Sequence, residues 1–483
     1  METHMGTRTL IKGGHVVTMD PALGVIAGGD VLLHGDTIEA VGRDLAAPDA
    51  TVVDATDRVV IPGLVDTHRH TWQTQMRAIC ADMSISGYMN TLRMAISPNY
   101  TADDVYVGNL VGALEAVDAG ITTLLDFSHC NNSPGHADGA IGGLLDSGIR
   151  AVFAYGFFDS APPEVGYADH AQRVKDYHRL VREHSNQSLV RIGVSVNELG
   201  FVPFEQTRAE IGAARDEGEI IAFHTACFFG TPLSNGIKDL HAAGLLGPDQ
   251  VHIHCVALDE QEWAHLGEAG CKVSIAAETE MNMGMGWPAM AECRRHGIKP
   301  TLSCDIISLN SGSLVPQMRL AIAADRFAQN DPINRAGQMP ESLQTSVHDV
   351  LAWATINGAE ACGLGEITGS LTPGKKGDVV IVGNPLTFTG QPSVDPVGGV
   401  VFQSTPQDVR DVWIDGRHVK KDGVLVGVDL PALFARSKAS TEEVLRKVHR
   451  DFPVLPPTVE GSRFSEREKA AQDNINTDTI KAG

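Results

Sequence analysis

Two histidines separated by one residue, His68 and His70, are the first side chains whose type and spacing indicate a chemical role. They close the apolar run GLVDTHRH, which is typical of a β-strand. Because side chains alternate along a strand, both imidazoles lie on one face and Arg69 points to the other. Two imidazoles on one face can bind the same divalent metal ion. The pair therefore predicts part of a metal site, although an exposed hairpin tip has the same spacing.

Three more side chains that can bind a metal end later apolar runs. His224 closes IIAFH, His254 lies in VHIHC and Asp305 closes TLSCD. Each of them alone is more typical of a hydrogen-bonded core residue. Together with the first pair they form a set that packing would not select, because every buried polar group must find a partner. His252 shares the face of His254, which is favoured because it is nearer the strand end.

A repeated alternation of strands and helices must position these side chains. Eight apolar runs are separated mostly by amphipathic stretches with helical spacing. They cover residues 63–70, 121–127, 150–156, 190–198, 219–225, 250–256, 271–277 and 299–305. This pattern predicts an α/β fold of the (β/α)8 TIM-like barrel type, with the polar side chains at its carboxyl-terminal rim. The alternative, a doubly wound open sheet, usually has a glycine-rich phosphate turn after the first strand, and the sequence has none.

Both ends of the chain read as short strands joined by glycine turns, which predicts one small β-sandwich domain built from the two ends. A helix with a capping box at Ser440 and Glu443 follows, and after it comes a polar, proline-bearing arm. The predicted organisation is a β-sandwich from 1–61 and 366–430, a catalytic barrel from 62–365, and a C-terminal helix and extended arm from 431–483.

Composition restricts the partners of the protein. The 483 residues carry a formal charge of −22, which repels nucleic acid. No run of apolar residues is long enough to cross a membrane. The eight cysteines contain no Cys-x-x-Cys pair and the N-terminus has no signal-peptide pattern, so we expect reduced thiols and a cytoplasmic location. A small molecule is the expected partner.

The motifs taken together resemble the amidohydrolase superfamily. The resemblance rests on IPGLVDTHRH, the histidines of strands 5 and 6, LSCD at strand 8 and the return segment GSLTPGKKGDVVIV. It implies a metal-dependent hydrolase and a homo-oligomer, with His254 contacting substrate. The implied ligands of the metal ion are His68, His70, His224 and Asp305. Such a set accepts zinc, cobalt, iron or manganese.

Departures from the superfamily pattern narrow the expected branch. Strand 4 reads VRIGVSVNE and lacks the lysine of binuclear members, which favours one divalent ion per active site. Ring deaminases of the superfamily usually have a glutamate three residues after the strand 5 histidine, where this chain has Cys227, and a histidine near strand 7, where VSIAAETEMNMG has none. The strings DTHRHTWQTQMR, DFSHCNNSPGHADGAI and ETEMNMGMGWP resemble molinate hydrolase and the phenylurea hydrolases.

The proposed metal site predicts hydrolysis at the carbonyl carbon of an amide, urea, carbamate or thiocarbamate. The apolar residues of the loops around it predict that this substrate is small, neutral and hydrophobic. Asp305 would carry the proton from water to the leaving group, and His254 would donate a hydrogen bond to the oxyanion. Two alternatives stay open: a deaminase or chlorohydrolase of an aromatic heterocycle, and a non-catalytic relative that uses the fold for assembly. The candidate substrate-binding residues, which would otherwise be ordinary packing under loops, are Trp72, His129, Cys227, Phe228, Glu280, Met283 and Trp287.

Overall fold

A computed structural model describes residues 6–158, 166–227, 236–390 and 394–451. The first five strands of the described chain belong to one sheet. They are β1 (Arg8–Val17), β2 (Val25–His34), β3 (Thr37–Gly42), β4 (Thr51–Asp54) and β5 (Val59–Pro62). Strands β1, β2 and β3 form an antiparallel meander, while β4 and β5 both pair in parallel with β1.

Eight parallel strands then form the second sheet and confirm the predicted barrel. They are β6 (Leu64–Arg69), β7 (Ile121–Ser128), β8 (Arg150–Gly156), β9 (Val190–Ser195), β10 (Ile221–Thr225), β11 (Gln250–His254), β12 (Lys272–Ile275) and β13 (Pro300–Leu302). Neighbours in sequence are neighbours in the sheet. The first and last strands meet where the Asp305 amide donates to the His68 carbonyl and the His70 amide donates to the Asp305 carbonyl, each at 2.9 Å. Barrel closure therefore joins three of the predicted ligands through their backbone.

Helices connect the barrel strands and cover their outer faces. The first helices are α1 (Ile85–Tyr88), α2 (Ala102–Asp118), α3 (Pro134–Ser147), α4 (His170–His184), α5 (Phe204–Glu217), α6 (Gly236–Ala242) and α7 (Glu260–Glu268). Then come α8 (Ala277–Asn282), α9 (Met290–Arg295), α10 (Leu314–Arg335), α11 (Val347–Trp353) and α12 (Ile356–Ala361). Local sequence explains several starts: Thr101 with Asp104, and Asp259 with Glu262, form capping boxes for α2 and α7.

Four more strands return the chain to the first sheet. After β14 (Val379–Val382) come α13 (Pro396–Gly398), β15 (Val409–Ile414), β16 (Arg417–Lys421) and β17 (Val424–Leu425). Strand β14 pairs antiparallel with β5, so both ends of the chain contribute to one nine-stranded sheet. This sheet is the predicted small domain. Gly63 allows it to sit close to the barrel, because a Cβ there would lie 1.9 Å from the Thr122 hydroxyl oxygen.

The C-terminal helix α14 (Leu430–Asp451) packs back onto the barrel. It begins ten residues before the predicted capping box, so Ser440 lies inside the helix and its hydroxyl contacts the Asp104 carboxylate of α2 instead. The Thr441 hydroxyl donates to the Gln75 carbonyl at 3.2 Å. The predicted arm after 451 lies outside the described residues. No helix among the described ranges is long and apolar enough to cross a membrane.

Candidate active site

The five predicted polar side chains meet at the carboxyl ends of the barrel strands. His68 lies in β6 and His70 follows it. His224 is the last residue but one of β10, His254 ends β11, and Asp305 comes three residues after β13. All are buried except His224, which is slightly more exposed. One ligand atom each from His68, His70 and Asp305 lie within 4.8 Å of one another, and the same holds for His68, His224 and His254. The barrel thus brings together residues that are up to 237 positions apart.

Asp305 is the carboxylate of this cluster. Its Oδ1 lies 3.1 Å from His68 Nε2 and 3.5 Å from His70 Nε2. Burial alone would raise the pKa of Asp305, but the surrounding imidazoles outweigh it and hold the pKa far below the ordinary value. Asp305 is therefore a buried, ionised carboxylate.

Three imidazoles are oriented by an oxygen behind each ring. Nδ1 of His70 lies 2.8 Å from the Phe127 carbonyl, that of His224 lies 3.4 Å from Glu198 Oε1, and that of His254 lies 3.2 Å from Glu280 Oε1. An Nδ1–H that donates to such an oxygen leaves the lone pair on Nε2. Each ring therefore offers Nε2 to the centre of the cluster.

The protonation states fit a divalent metal ion. Burial lowers the pKa of His68 and lowers that of His70 further, where the neighbouring His68 adds to the effect. Burial also lowers the pKa of His224 to about 4, although Glu198 opposes the shift. Neutral imidazoles and one carboxylate are the donors that zinc and similar ions bind. In contrast, the hydrogen bond that His254 donates to Glu280 raises the pKa of His254 despite its burial.

The backbone is strained where the site residues lie. Ala226, His254, Cys255 and Asp305 all have positive φ angles, between 48° and 73°. Residues with a Cβ rarely adopt this conformation, and it persists only where the surrounding structure enforces it. The turn out of β11 in particular places the His254 ring in the cluster.

A cavity of about 540 Å³, its open mouth included, lies directly over the cluster. His70, His224, His254 and Asp305 form its polar end. Its other walls are mostly apolar: Ile85, Tyr88, Met89, Leu199, Ala226, Cys227, Met283, Met285 and Ile306. A mainly apolar pocket with a few convergent polar groups is typical of a small-molecule site.

Two charged residues that the sequence did not single out complete the wall. Glu198 follows β9, and its Oε1 accepts from Arg93 Nη1 at 3.3 Å and faces His224. Burial would raise the pKa of Glu198, but Arg93 and His224 hold it at about 2. Glu198 ends the predicted strand 190–198, and this position at the carboxyl-terminal rim could have identified it as a site residue. Nothing in the sequence around Arg93 indicated its place.

The candidate substrate-binding residues have different positions. Cys227 and Met283 line the cavity. Glu280 is buried behind His254 and does not line it. Trp287 is 44% exposed, lies outside the lining, and its ring centroid is 5.9 Å from that of Phe327. Phe228 lies outside the described residues.

Trp72 and His129 lie beneath the cluster instead of in the cavity lining. Trp72 is fully buried, and its Nε1 donates to His129 Nδ1 at 3.1 Å. The His129 ring stacks on His70 with centroids 4.0 Å apart. His252, the competitor of His254, uses both ring nitrogens within the core, on Thr225 Oγ1 at 2.8 Å and Gln250 Oε1 at 3.2 Å.

A barrel with a His and Asp cluster at its carboxyl rim defines a class of metal-dependent hydrolases. The sequence profile of the Amidohydrolase family matches residues 59–419. The chain belongs to this family. It is a hydrolytic enzyme that acts on C–N bonds of small molecules with one divalent metal ion per active site.

Curated relatives match over most of the chain. A 5-methylthioadenosine/S-adenosylhomocysteine deaminase of Symbiobacterium thermophilum is 27% identical, over 91% of this chain and 100% of the relative. A 5'-deoxyadenosine deaminase of Methanosarcina mazei is 26% identical, over 91% and 99%. These relatives are adenosine-type deaminases, not the thiocarbamate and urea hydrolases that the short strings suggested.

Solved structures share the fold. An adenosine deaminase from Xanthomonas campestris with bound zinc superposes with a TM-score of 0.81 at 19% identity, over 91% of this chain and 99% of that one. The atrazine chlorohydrolase TrzN from Arthrobacter aurescens TC1, complexed with zinc, has a TM-score of 0.78 at 22% identity, over 90% and 100%. Both similarities support the barrel and the attached sheet.

Proposed function

We propose that the enzyme hydrolyses the exocyclic C–N bond of an aminated aromatic N-heterocycle and releases ammonia. The deaminase names of the full-length relatives support this class of substrate. The observation that carries the proposal is the pair His254 and Glu280 beside the ligand cluster. It supplies an imidazole backed by a carboxylate, which can move protons where the glutamate expected after strand 5 is replaced by Cys227.

In this proposal His68, His70, His224 and Asp305 hold the metal ion. The ion, when bound, lowers the pKa of a water molecule so that hydroxide forms near neutral pH. The chain provides the rest. The Asp305 carboxylate accepts the proton of the attacking water, and His254 exchanges a proton at Nε2 with the ring or the departing amine. The apolar walls exclude bulk water from the reacting carbon.

Cys227 is not a substitute for the missing glutamate. Burial raises the pKa of its thiol well above the ordinary value, so the sulfur keeps its proton at neutral pH. A buried thiol behaves as a small apolar side chain. Cys227 therefore shapes the wall beside Ala226 and leaves proton transfer to other groups.

Hydrolysis of an amide, urea, carbamate or thiocarbamate is the second candidate. Cys227 favours it, because the attack on a carbonyl carbon requires no proton on a ring nitrogen. The apolar wall of Met89, Met283 and Met285 would accept the substituent of such a substrate. Asp305 and His254 would keep the same roles.

The test is a product screen on zinc-loaded enzyme. The panel holds 5'-deoxyadenosine, adenosine and an amino-triazine on one side, and an anilide, a phenylurea and a thiocarbamate on the other. We expect ammonia from at least one heterocycle, and no product after removal of the metal by a chelator. Free amine or thiol from the acyl compounds, with no ammonia from any heterocycle, would replace the first candidate by the second.

A further inference from the structure

Arg93, in the wall of the cavity, has one guanidinium nitrogen without a hydrogen-bond acceptor among the described residues. It lies in a π-helical segment, Met89–Ile96, and both Met89 and Arg93 line the cavity. Nη1 donates to Glu198 Oε1 at 3.3 Å, and the guanidinium carbon lies 4.1 Å from the ring centroid of Phe158. Nη2 is buried and has no acceptor among the described residues. Only 2% of the side chain is exposed to solvent.

A buried donor without an acceptor is rare, because folding removes it from water without replacing the lost hydrogen bond. The contact with Phe158 places an aromatic ring against the guanidinium plane but provides no acceptor in that plane. Since Arg93 lines the cavity over the His and Asp cluster, a ligand bound in this cavity can provide the missing acceptor.

Tyr88 provides a second donor on the same wall. Its hydroxyl oxygen accepts from Gln73 Nε2 at 2.8 Å, and Gln73 Oε1 in turn accepts from the Ser308 hydroxyl at 3.1 Å. These two hydrogen bonds fix the position of the Tyr88 hydroxyl oxygen and leave its hydrogen available for another acceptor. Tyr88 also lines the cavity. Tyr88 and Arg93 therefore place two hydrogen-bond donors in one segment of the cavity wall.

The charge of Arg93 is already balanced. Glu198 lies against Nη1, and both side chains are buried. An anionic ligand would add a second negative charge beside Glu198 and Asp305, which burial makes costly. The free N–H groups of Nη2 therefore suit a neutral acceptor with a lone pair in the plane of the guanidinium.

We infer that Arg93 is a substrate-binding residue that donates through Nη2 to a ring nitrogen or an exocyclic oxygen of a neutral heterocycle. The inference rests on the proposed function for the kind of ligand, and on the buried, unpaired Nη2 for the contact. The methionine-rich part of the wall would then face the substituent of the heterocycle. Arg93 would select among heterocycles by the position of one acceptor.

The experiment tests whether the Arg93 side chain and one acceptor atom of the ligand contribute to the same interaction. The apparent affinity of zinc-loaded enzyme is measured for two sets of probes, by calorimetry for probes that are not turned over and as KM for probes that are. Adenosine is compared with 1-deaza-, 3-deaza- and 7-deazaadenosine, and cytosine with 4-aminopyrimidine, which lacks the exocyclic oxygen. We expect one probe without its acceptor to bind the wild type about 10-fold to 100-fold more weakly than its parent. In Arg93→Met that difference disappears, because the donor is gone.

Two further variants separate binding from structure. Arg93→Met combined with Glu198→Gln removes the charge pair as a unit, so that no unpaired buried charge disturbs the fold, and it should also lose the difference. Arg77→Met removes an exposed arginine that pairs with Glu115, and it should keep the wild-type pattern.

The outcomes are distinct. Equal binding of every probe by the wild type, a difference that persists in Arg93→Met, or no saturable binding of any probe would each overturn the inference. A difference in affinity between parent and probe that depends on Arg93, without release of ammonia from any heterocycle, would overturn the proposed function. It would leave the role of Arg93 in binding intact.

Discussion

His254 and Glu280 form a buried pair in which His254 Nδ1 lies 3.2 Å from Glu280 Oε1. The same carboxylate oxygen accepts the Ala276 amide at 2.9 Å, at the start of α8. The orientation of an imidazole at the end of β11 is thus set by the helix that follows β12. Because a carboxylate behind a histidine fixes its tautomer and raises its basicity, Glu280 acts as a positioning residue for His254.

Replacement of Glu280 by Gln should lower kcat while the metal content stays near one ion per chain. The amide keeps the shape of the side chain but removes its charge, and we expect a loss of about 10-fold to 100-fold. Steady-state kinetics and metal analysis on the same preparation check this. Glu278→Gln is the matched control, because Glu278 lies on the same helix and bonds Gln317 away from the cluster. Equal losses in both variants would contradict the role of Glu280.

Removal of a predicted ligand should abolish turnover and metal binding together. We expect His68→Ala, His224→Ala and Asp305→Asn each to purify with little metal and to keep the circular dichroism spectrum of the wild type. The reason is that each side chain supplies one donor of a small set, while the barrel around it is held by many other contacts. Loss of the fold would instead assign these side chains to stability.

His252, a buried histidine outside the cluster, is the control for these variants. Both ring nitrogens of His252 form hydrogen bonds with protein groups, so neither is free to bind a metal ion. His252→Gln should keep the metal and lose only stability. A metal-free His252→Gln enzyme would show that the cluster has been assigned to the wrong histidines.

Two arginines should differ strongly in their effect on stability. Arg69 is fully buried, and its Nε donates to Asp66 at 2.9 Å while Nη1 and Nη2 donate to the carbonyls of Gly112 and Gly312. Arg69→Met leaves a buried carboxylate unpaired and should cost about 3 to 5 kcal/mol of unfolding free energy. Arg77→Met breaks an exposed pair and should cost less than about 1 kcal/mol. Urea denaturation of both variants measures the difference.

Glu210 should make stability depend on pH. Burial raises its pKa to about 7, although Asn197 and Gln206 donate to its carboxylate. Between the ordinary pKa of glutamate and about 7 the unfolded chain is ionised while the folded chain keeps the proton, so folding becomes less favourable as the pH rises. Above that range the effect is constant.

The Glu210→Gln variant isolates this contribution. The unfolding free energy of the wild type relative to the variant should fall by about 2 to 3 kcal/mol between about pH 5 and about pH 8. Denaturation at several pH values gives the comparison, in which the other titrating groups cancel. A difference that does not change with pH would mean that Glu210 is ionised throughout.

The barrel could be predicted because its strands are local. A buried parallel strand needs a short apolar run, and the alternation of runs and amphipathic stretches gave eight strands that all occur in the sheet. The ligand cluster followed from two facts that need no coordinates: side chains alternate along a strand, and parallel strands end at one rim. His68, His70, His224, His254 and Asp305 meet for that reason.

Other parts of the site depend on contacts that no local pattern specifies. Arg93 reaches Glu198 across 105 positions, and the start of α14 was set by packing on α2 instead of by the capping signal at Ser440. Trp72 and His129 had the residue types of a pocket wall but lie beneath His70. Sequence fixes residue type and periodicity, which determine the barrel and its polar rim. Only the closed barrel decides which side chains share a cavity, because that depends on distances between segments remote in the chain.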